Sequence, residues 1–230
     1  MKLPERIETT DIRASDGVYA VMVNDAPLLT PKGHPVRVAS WELANAMADE
    51  LMAEGVLDLQ RLTLYSLYAT QRDFIEDRVE ATIGAILQHL PGDFALHPDA
   101  DPALAAKQLT AWAPLLAFLR DFGPEVPVAR PLQEVQIPWE LTEAIRTQLI
   151  TMHSAQLTVV MQTVSNLGSV SLGVMVARLA IEADQAVAAL TTTAGHTPGR
   201  TSDEDEQQAL FVAETRRVVR RLLRYVRLSS

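Results

Sequence analysis

Hydrophobic positions along this 230-residue chain change their period near residue 40. Before that point, apolar residues alternate in short runs separated by turn signals, the pattern of half-buried strands. Ile7 to Ile12 reads as a short strand, Asp16-Gly17 as a turn, and Val18 to Val23 as a strand rich in β-branched residues. Asn24-Asp25 turns tightly into Ala26-Pro27-Leu28-Leu29, where Pro27 suits an edge or a strand start. Thr30 to Pro35 turns again, and Val36-Arg37-Val38 is a further strand. The expectation is an antiparallel meander.

After residue 40 the spacing becomes helical. Ser40 can cap a helix whose Leu43, Ala44, Met47, Ala48 and Leu51 share one face, with Gly55 ending it. Leu62 to Asp73 and Asp77 to Leu90 read as two more helices, and Asp93 to His97 as a return strand. His97 to Pro102 has the composition of a linker, with Asp101 as N-cap and Pro102 at the first helical position. Ala105, Leu109, Trp112, Leu116 and Leu119 then form a stripe, and Pro114 inside it predicts a kink or restart at Trp112-Ala113. Glu125 to Ile137 reads as Pro-rich and extended, Trp139 to Thr151 as helical, Asp184 to Leu190 as a short helix, and Thr191 to Ser202 as a loop. A last helix runs to about Leu228, with acids Asp203 to Glu206 at its start. The fold class is therefore α+β: a small β-rich N-terminal domain with helices, 1–98, followed by an all-helical C-terminal domain, 101–230.

One stretch, Ser154 to Ala177, carries no charge at all. Its length approaches a membrane span, but polar groups from Gln156 to Ser171 run along it and would each need a partner in hydrocarbon. One or two helices buried on nearly every side fit better, with no integral membrane segment. Leu167-Gly168-Ser169 in its middle marks either a notch for a neighbouring helix or a break between two helices. Ser169 to Gly173 falls one Gly short of a nucleophile elbow and lacks the preceding strand that motif needs.

Composition narrows the function classes. The absence of cysteine excludes disulfides, zinc-thiolate sites and thiol catalysis. The opening lacks an apolar leader, so a cytoplasmic protein is expected. Residues 216–230 hold six Arg and no acid, leaving residues 1–215 with 14 basic against 29 acidic groups. Such a body repels nucleic acid. The five His show no metal-ligand spacing, and no phosphate loop occurs, so no cofactor or metal is expected. Asp73, Glu76, Asp77 and Glu80 lie at helical spacing but read as a solvated face. The Arg series beside Val218, Leu222 and Val226 reads as a terminal helix with cations near its C-terminus, or as a contact for a membrane surface or an acidic partner.

Several short motifs share an order with one family. Val23 to Pro31, in which Asp25, Pro27, Leu28, Thr30 and Pro31 carry the match, resembles the "LDGRPLRTP" opening of the ATP synthase assembly chaperones acting on the alpha subunit. Leu43-Ala44 and Glu50 match that family's first helix, and Leu62-Thr63 its "PLTRLAN" segment. Trp112 to Leu116 resembles "WDPLL", and Leu167-Gly168-Ser169 resembles "LGS" on a buried helix. The resemblance spans roughly residues 16–190. It implies a β-containing domain before a helical one, no catalysis, and a chaperone that shields the unassembled alpha subunit of the headpiece; a monomer is expected.

Departures accompany it. The family's "WGxDxE" helix start, whose acid is implicated in function, has as nearest counterpart Phe211-Val212-Ala213-Glu214, without Trp or Gly. Gln71 stands where the family tends to have Asp, and 191–202 resembles an insertion. Partner-binding candidates are Phe211, Glu214, Arg217, Arg221 and Trp112. The alternative from another class is a small enzyme or ligand-binding protein with a pocket between the two domains.

Overall fold

A computed structural model describes residues 6–58, 61–123, 126–128, 135–193 and 202–229. Within the expected Pro-rich extension and the expected 191–202 loop, residues 125, 129–134 and 194–201 lie outside the described residues. The architecture is α+β. Contacts divide the chain into two compact units, 1–79 with 224–230, and 80–223.

The first unit is built on an antiparallel sheet. β1 (Thr10–Ser15) pairs with β2 (Val18–Val23) along its whole length. β3 (Ala26–Pro27) and β4 (Arg37–Val38) both pair with the other edge of β2, at its opposite ends. Both hairpin turns have positive φ at their two central residues, Asp16 and Gly17, then Asn24 and Asp25. That is the conformation whose twist suits a two-residue hairpin, which is why Asn, Asp and Gly stand there. The expected strand at Ile7–Ile12 starts later, at Thr10. Ile7 is buried and its N–H goes to Gly55 O at 2.9 Å.

Helix α1 (Trp41–Glu54) follows, and its buried Leu43, Ala44, Met47 and Leu51 lie against the sheet. The Ser40 hydroxyl accepts from Leu43 N, and Gly55, at φ 67°, ends the helix. Helix α2 (Leu64–Thr70) opens with a reciprocal cap between Thr63 and Ser66. It does not run regularly to Asp73 as the sequence predicts. A π-turn, Gln71–Ile75, and a 3₁₀ turn, Glu76–Arg78, lead instead into α3 (Val79–Gln88).

The second unit is helical. The return strand expected at 93–97 is a 3₁₀ turn, Phe94–Leu96, because the Asp93 carboxylate accepts from Ala95 N and closes it. α4 (Pro102–Ala111) starts as predicted, with Asp101 accepting from Ala103 N and Leu104 N. α5 (Ala113–Arg120) restarts after Trp112, where Pro114 breaks the ladder. That restart changes the phase of the predicted stripe. Trp112, Leu115, Leu116 and Leu119 are buried, whereas Leu109 is exposed.

α6 (Trp139–Ile150) leads to α7 (Ser154–Leu167) and α8 (Val170–Ala177). Every residue of α8 is buried, and the uncharged stretch is indeed the packed centre of its unit. α9 (Ala183–Thr193) extends three residues into the expected loop. α10 (Ser202–Ser229) closes the chain, its residues from Arg224 onward belonging to the first unit.

Of the two readings of Gly168, the structure selects the break. Gly168 caps α7 in the left-handed region at φ 68°, and an added Cβ would meet no atom within 4 Å. The close helix approach falls five residues later. A Cβ on Gly173 would stand 3.1 Å from Val160 O and 3.2 Å from Val160 Cα, so α7 and α8 touch through that glycine.

Candidate functional site

The motif residues form two buried polar joints, one in each unit. In the first unit, Thr30, Lys32 and His34 converge on Asp73. The Thr30 hydroxyl donates to Asp73 Oδ1 at 2.6 Å, Lys32 N donates to Oδ2 at 3.0 Å, and His34 Nδ1 lies 2.8 Å from Oδ1. The Lys32 ammonium donates to Asp73 O and stands over the Phe74 ring at 4.3 Å. Burial alone would raise the Asp73 carboxyl, but the bonds from Thr30, His34 and the Lys32 amide hold it below its ordinary range.

Pro31 stands at the second position of the turn closed by Gly33 N on Thr30 O. Leu28 is buried, and Leu29 O accepts from Tyr65 Oη at 2.7 Å. Asp25 and Pro27 are exposed on the hairpin. The Val23–Pro31 motif thus docks a hairpin arm onto α2 and the π-turn. Glu50 joins the same unit by accepting from Leu64 N at 2.6 Å.

In the second unit, Asp93 is fully buried. It accepts from Ser169 Oγ at 2.9 Å and from Ser171 N at 2.7 Å, at the start of α8. The Ser169 hydroxyl also caps α8 by accepting from Leu172 N at 3.0 Å. Burial pushes the Asp93 carboxyl up, and the bonds from Ser171 and Ser169 only partly oppose this. Leu167 is half-buried and Gly168 exposed, so the Leu167-Gly168-Ser169 motif is a helix break locked by Asp93, not a contact surface.

Trp112, offered above as a partner-binding residue, has no exposed surface. Its Nε1 donates to Ala189 O at 2.9 Å, and its ring packs on Phe94 with centroids 5.5 Å apart. It belongs to the core.

The other four candidates share one face of α10. Phe211, Glu214, Arg217 and Arg221 recur at three- and four-residue steps, so they line up along the helix. Leu210, which sequence reasoning passed over, joins them. Thr215, Val219, Leu222 and Leu223 face the other way and are buried. Leu210 is 64% exposed and Phe211 45%, so an apolar pair stands open to water on this face. Glu214 accepts from Arg217 at 2.8 Å, and Arg216 lies 3.6 Å from Asp184. The signal for Leu210 was available in the sequence as a second large apolar residue outside the Val219–Leu222 stripe.

The other three acids of the run from Asp73 to Glu80 do not converge on one site. Glu76 pairs with Arg72 at 2.7 Å, Glu80 lies 3.9 Å from Arg146, and Asp77 is exposed. Among the described residues no group of three His, Asp or Glu could hold a metal. Among them, too, no helix is long and apolar enough to cross a membrane.

The family model described as ATP12 chaperone protein matches residues 6–120. The crystal structure of Atp12 from Paracoccus denitrificans superposes with a TM-score of 0.80 at 23% identity, covering 98% of this chain and 99% of that one. A chaperone candidate from Agrobacterium tumefaciens superposes with a TM-score of 0.79 at 21% identity, covering 97% of this chain and 85% of that one. No curated protein matches the chain.

Proposed function

The chain belongs to the ATP12 chaperone family, an ATP synthase assembly factor and not an enzyme, and on that premise we propose that it shields the unassembled alpha subunit of the headpiece. The family match is the observation that carries this reading. The open face of α10 supports it: Leu210 and Phe211 offer apolar surface, and Glu214, Arg217 and Arg221 keep the rim charged and soluble. Binding there would cover an apolar interface of the client until its proper neighbour displaces the chaperone. The protein acts as a monomer in the cytoplasm.

The test is capture of the ATP synthase alpha subunit by the tagged chain in a native extract. Recovery of the alpha subunit by the wild type, and its loss with Leu210→Ser plus Phe211→Ser, is the expected result. Equal recovery by both would remove α10 from the interface. Failure of the wild type to retain the alpha subunit would overturn the client assignment.

A further inference from the structure

A second surface lies in the first unit, on a face of the sheet. A trough of about 510 Å³ is lined by Val18, Ala20 and Met22 of β2, by Pro27 and Leu29 of the hairpin arm, and by Arg13 and Arg37. Its size is that of a ligand site. Strand register explains how it is built. Ala20 sits directly opposite Arg13 on β1 and directly opposite Arg37 on β4. Directly paired residues point to the same face. Arg13, Ala20 and Arg37 therefore form one row across three strands, with the arginine backbones about 10 Å apart, twice the strand spacing.

The middle of that row is a methyl group, so nothing large separates the two cations. Among the described residues neither guanidinium has an ion-pair partner, and Asp16, on the β1–β2 turn at the trough, takes its hydrogen bond from Ser15. On one side of the row Met22 and Pro27 make the floor apolar; on the other, Val18 stands paired with Ser15, beside Asp16. Two cations flanking a small gap beside an apolar floor suit a carboxylate set between apolar side chains. Val18, Pro27 and Pro35 are exposed, so the trough is open along its length and admits a chain rather than enclosing a small molecule.

We propose that this trough holds an extended peptide segment in which one Asp or Glu, clamped by Arg13 and Arg37 over Ala20, is flanked by apolar residues. That the occupant is a protein segment rests on the chaperone reading; the site itself shares no residue with α10 and is tested apart from it. The guanidinium clamp gives the acid its preference, and the apolar floor accepts the flanking side chains.

The test uses the full chain and a blocked, fluorescein-labelled peptide, Val-Leu-Glu-Leu-Val, followed by fluorescence polarisation. Its Gln and Lys counterparts serve as controls. The expected result is binding of the Glu peptide about tenfold tighter than the Gln peptide, in line with a charge-assisted pair. That preference should vanish in Arg13→Gln plus Arg37→Gln, which keeps the wild-type melting temperature because both residues are exposed. Ala20→Phe, filling the gap, should block binding of the Glu and Gln peptides alike. Equal affinity for the three peptides, an unchanged preference in the double variant, or no binding at millimolar concentration overturns the proposal. So does tight binding of laurate that excludes the peptide, because the trough would then be a lipid site. Retention of the alpha subunit by the double Arg variant separates the two surfaces. In that case a failed peptide test sinks this proposal and leaves the α10 reading standing.

Discussion

The Thr30 hydroxyl donates to the buried Asp73 carboxylate at 2.6 Å across 43 positions of sequence. This single bond joins the turn of the hairpin arm to a π-turn, and π-turns often mark places where side chains must be re-aimed. Here the re-aimed group is Asp73, which turns inward to receive Thr30, Lys32 and His34.

Thr30→Val removes that donor while keeping the shape. It should destabilise the protein by about 1–3 kcal/mol, since a buried carboxylate loses one of its partners, whereas Thr30→Ser should stay near the wild type. The folded Asp73 pKa lies below its ordinary value of 3.8, so the stability this group contributes is present above that value and is lost as pH falls through the folded one. Urea melts of wild type and Thr30→Val between pH 2 and pH 6 check this. The gap between the two should narrow at the acid end.

Asp93 titrates in the opposite sense. Its folded pKa lies above 3.8, so its contribution is fully present below that value and declines as pH rises through the folded pKa. Asp93→Ala should cost about 2–3 kcal/mol, because the Ser171 amide and Ser169 hydroxyl lose their buried acceptor. It should also lose this component of the pH dependence. A stability profile from pH 3 to pH 8 identical in shape to that of the wild type would refute the assignment.

Two glycines in the central stretch should respond differently to the same change. Gly168→Ala places a Cβ in the left-handed region and should cost more than about 1 kcal/mol. Gly168→Leu should cost little beyond that, since nothing crowds the site. Gly173→Ala pushes a methyl against the α7 backbone at Val160, and overpacking of about 1–3 kcal/mol should outweigh the gain in helix propensity. Gly173→Leu should then be far worse than Gly168→Leu. Thermal melts of the four variants decide it.

On α10, Glu214→Lys and the pair Arg217→Glu with Arg221→Glu should each weaken capture of the alpha subunit. The exposed Glu214 change should leave unfolding free energy within about 0.5 kcal/mol. If the arginines contact an acidic partner, reversing them also flattens the salt dependence of binding. Capture measured between low and physiological salt reads this out.

Local features were legible in the sequence because their causes are local. Asn24-Asp25 and Asp16-Gly17 fix their turns through the φ each residue tolerates, and Ser40, Asp101 and Gly55 fix helix ends through atoms a few residues away. Pro114 likewise stated the restart at Trp112. The α10 face was half legible, since helical spacing alone aligns Phe211, Glu214, Arg217 and Arg221. Contacts distant in sequence were not legible. Asp93 reads as a strand start until Ser169 and Ser171 stand beside it, and Asp73 reads as a surface acid until Thr30 reaches it. Trp112 looks like an anchor for a partner, but its indole N–H is taken by Ala189, 77 residues away. The row Arg13–Ala20–Arg37 exists only once strand register sets three residues side by side. Capping and turn chemistry act through neighbouring atoms and are written in order along the chain. Which buried donor meets which acceptor, and which glycine lets two helices touch, depends on how distant segments pack, and only the tertiary structure decides that.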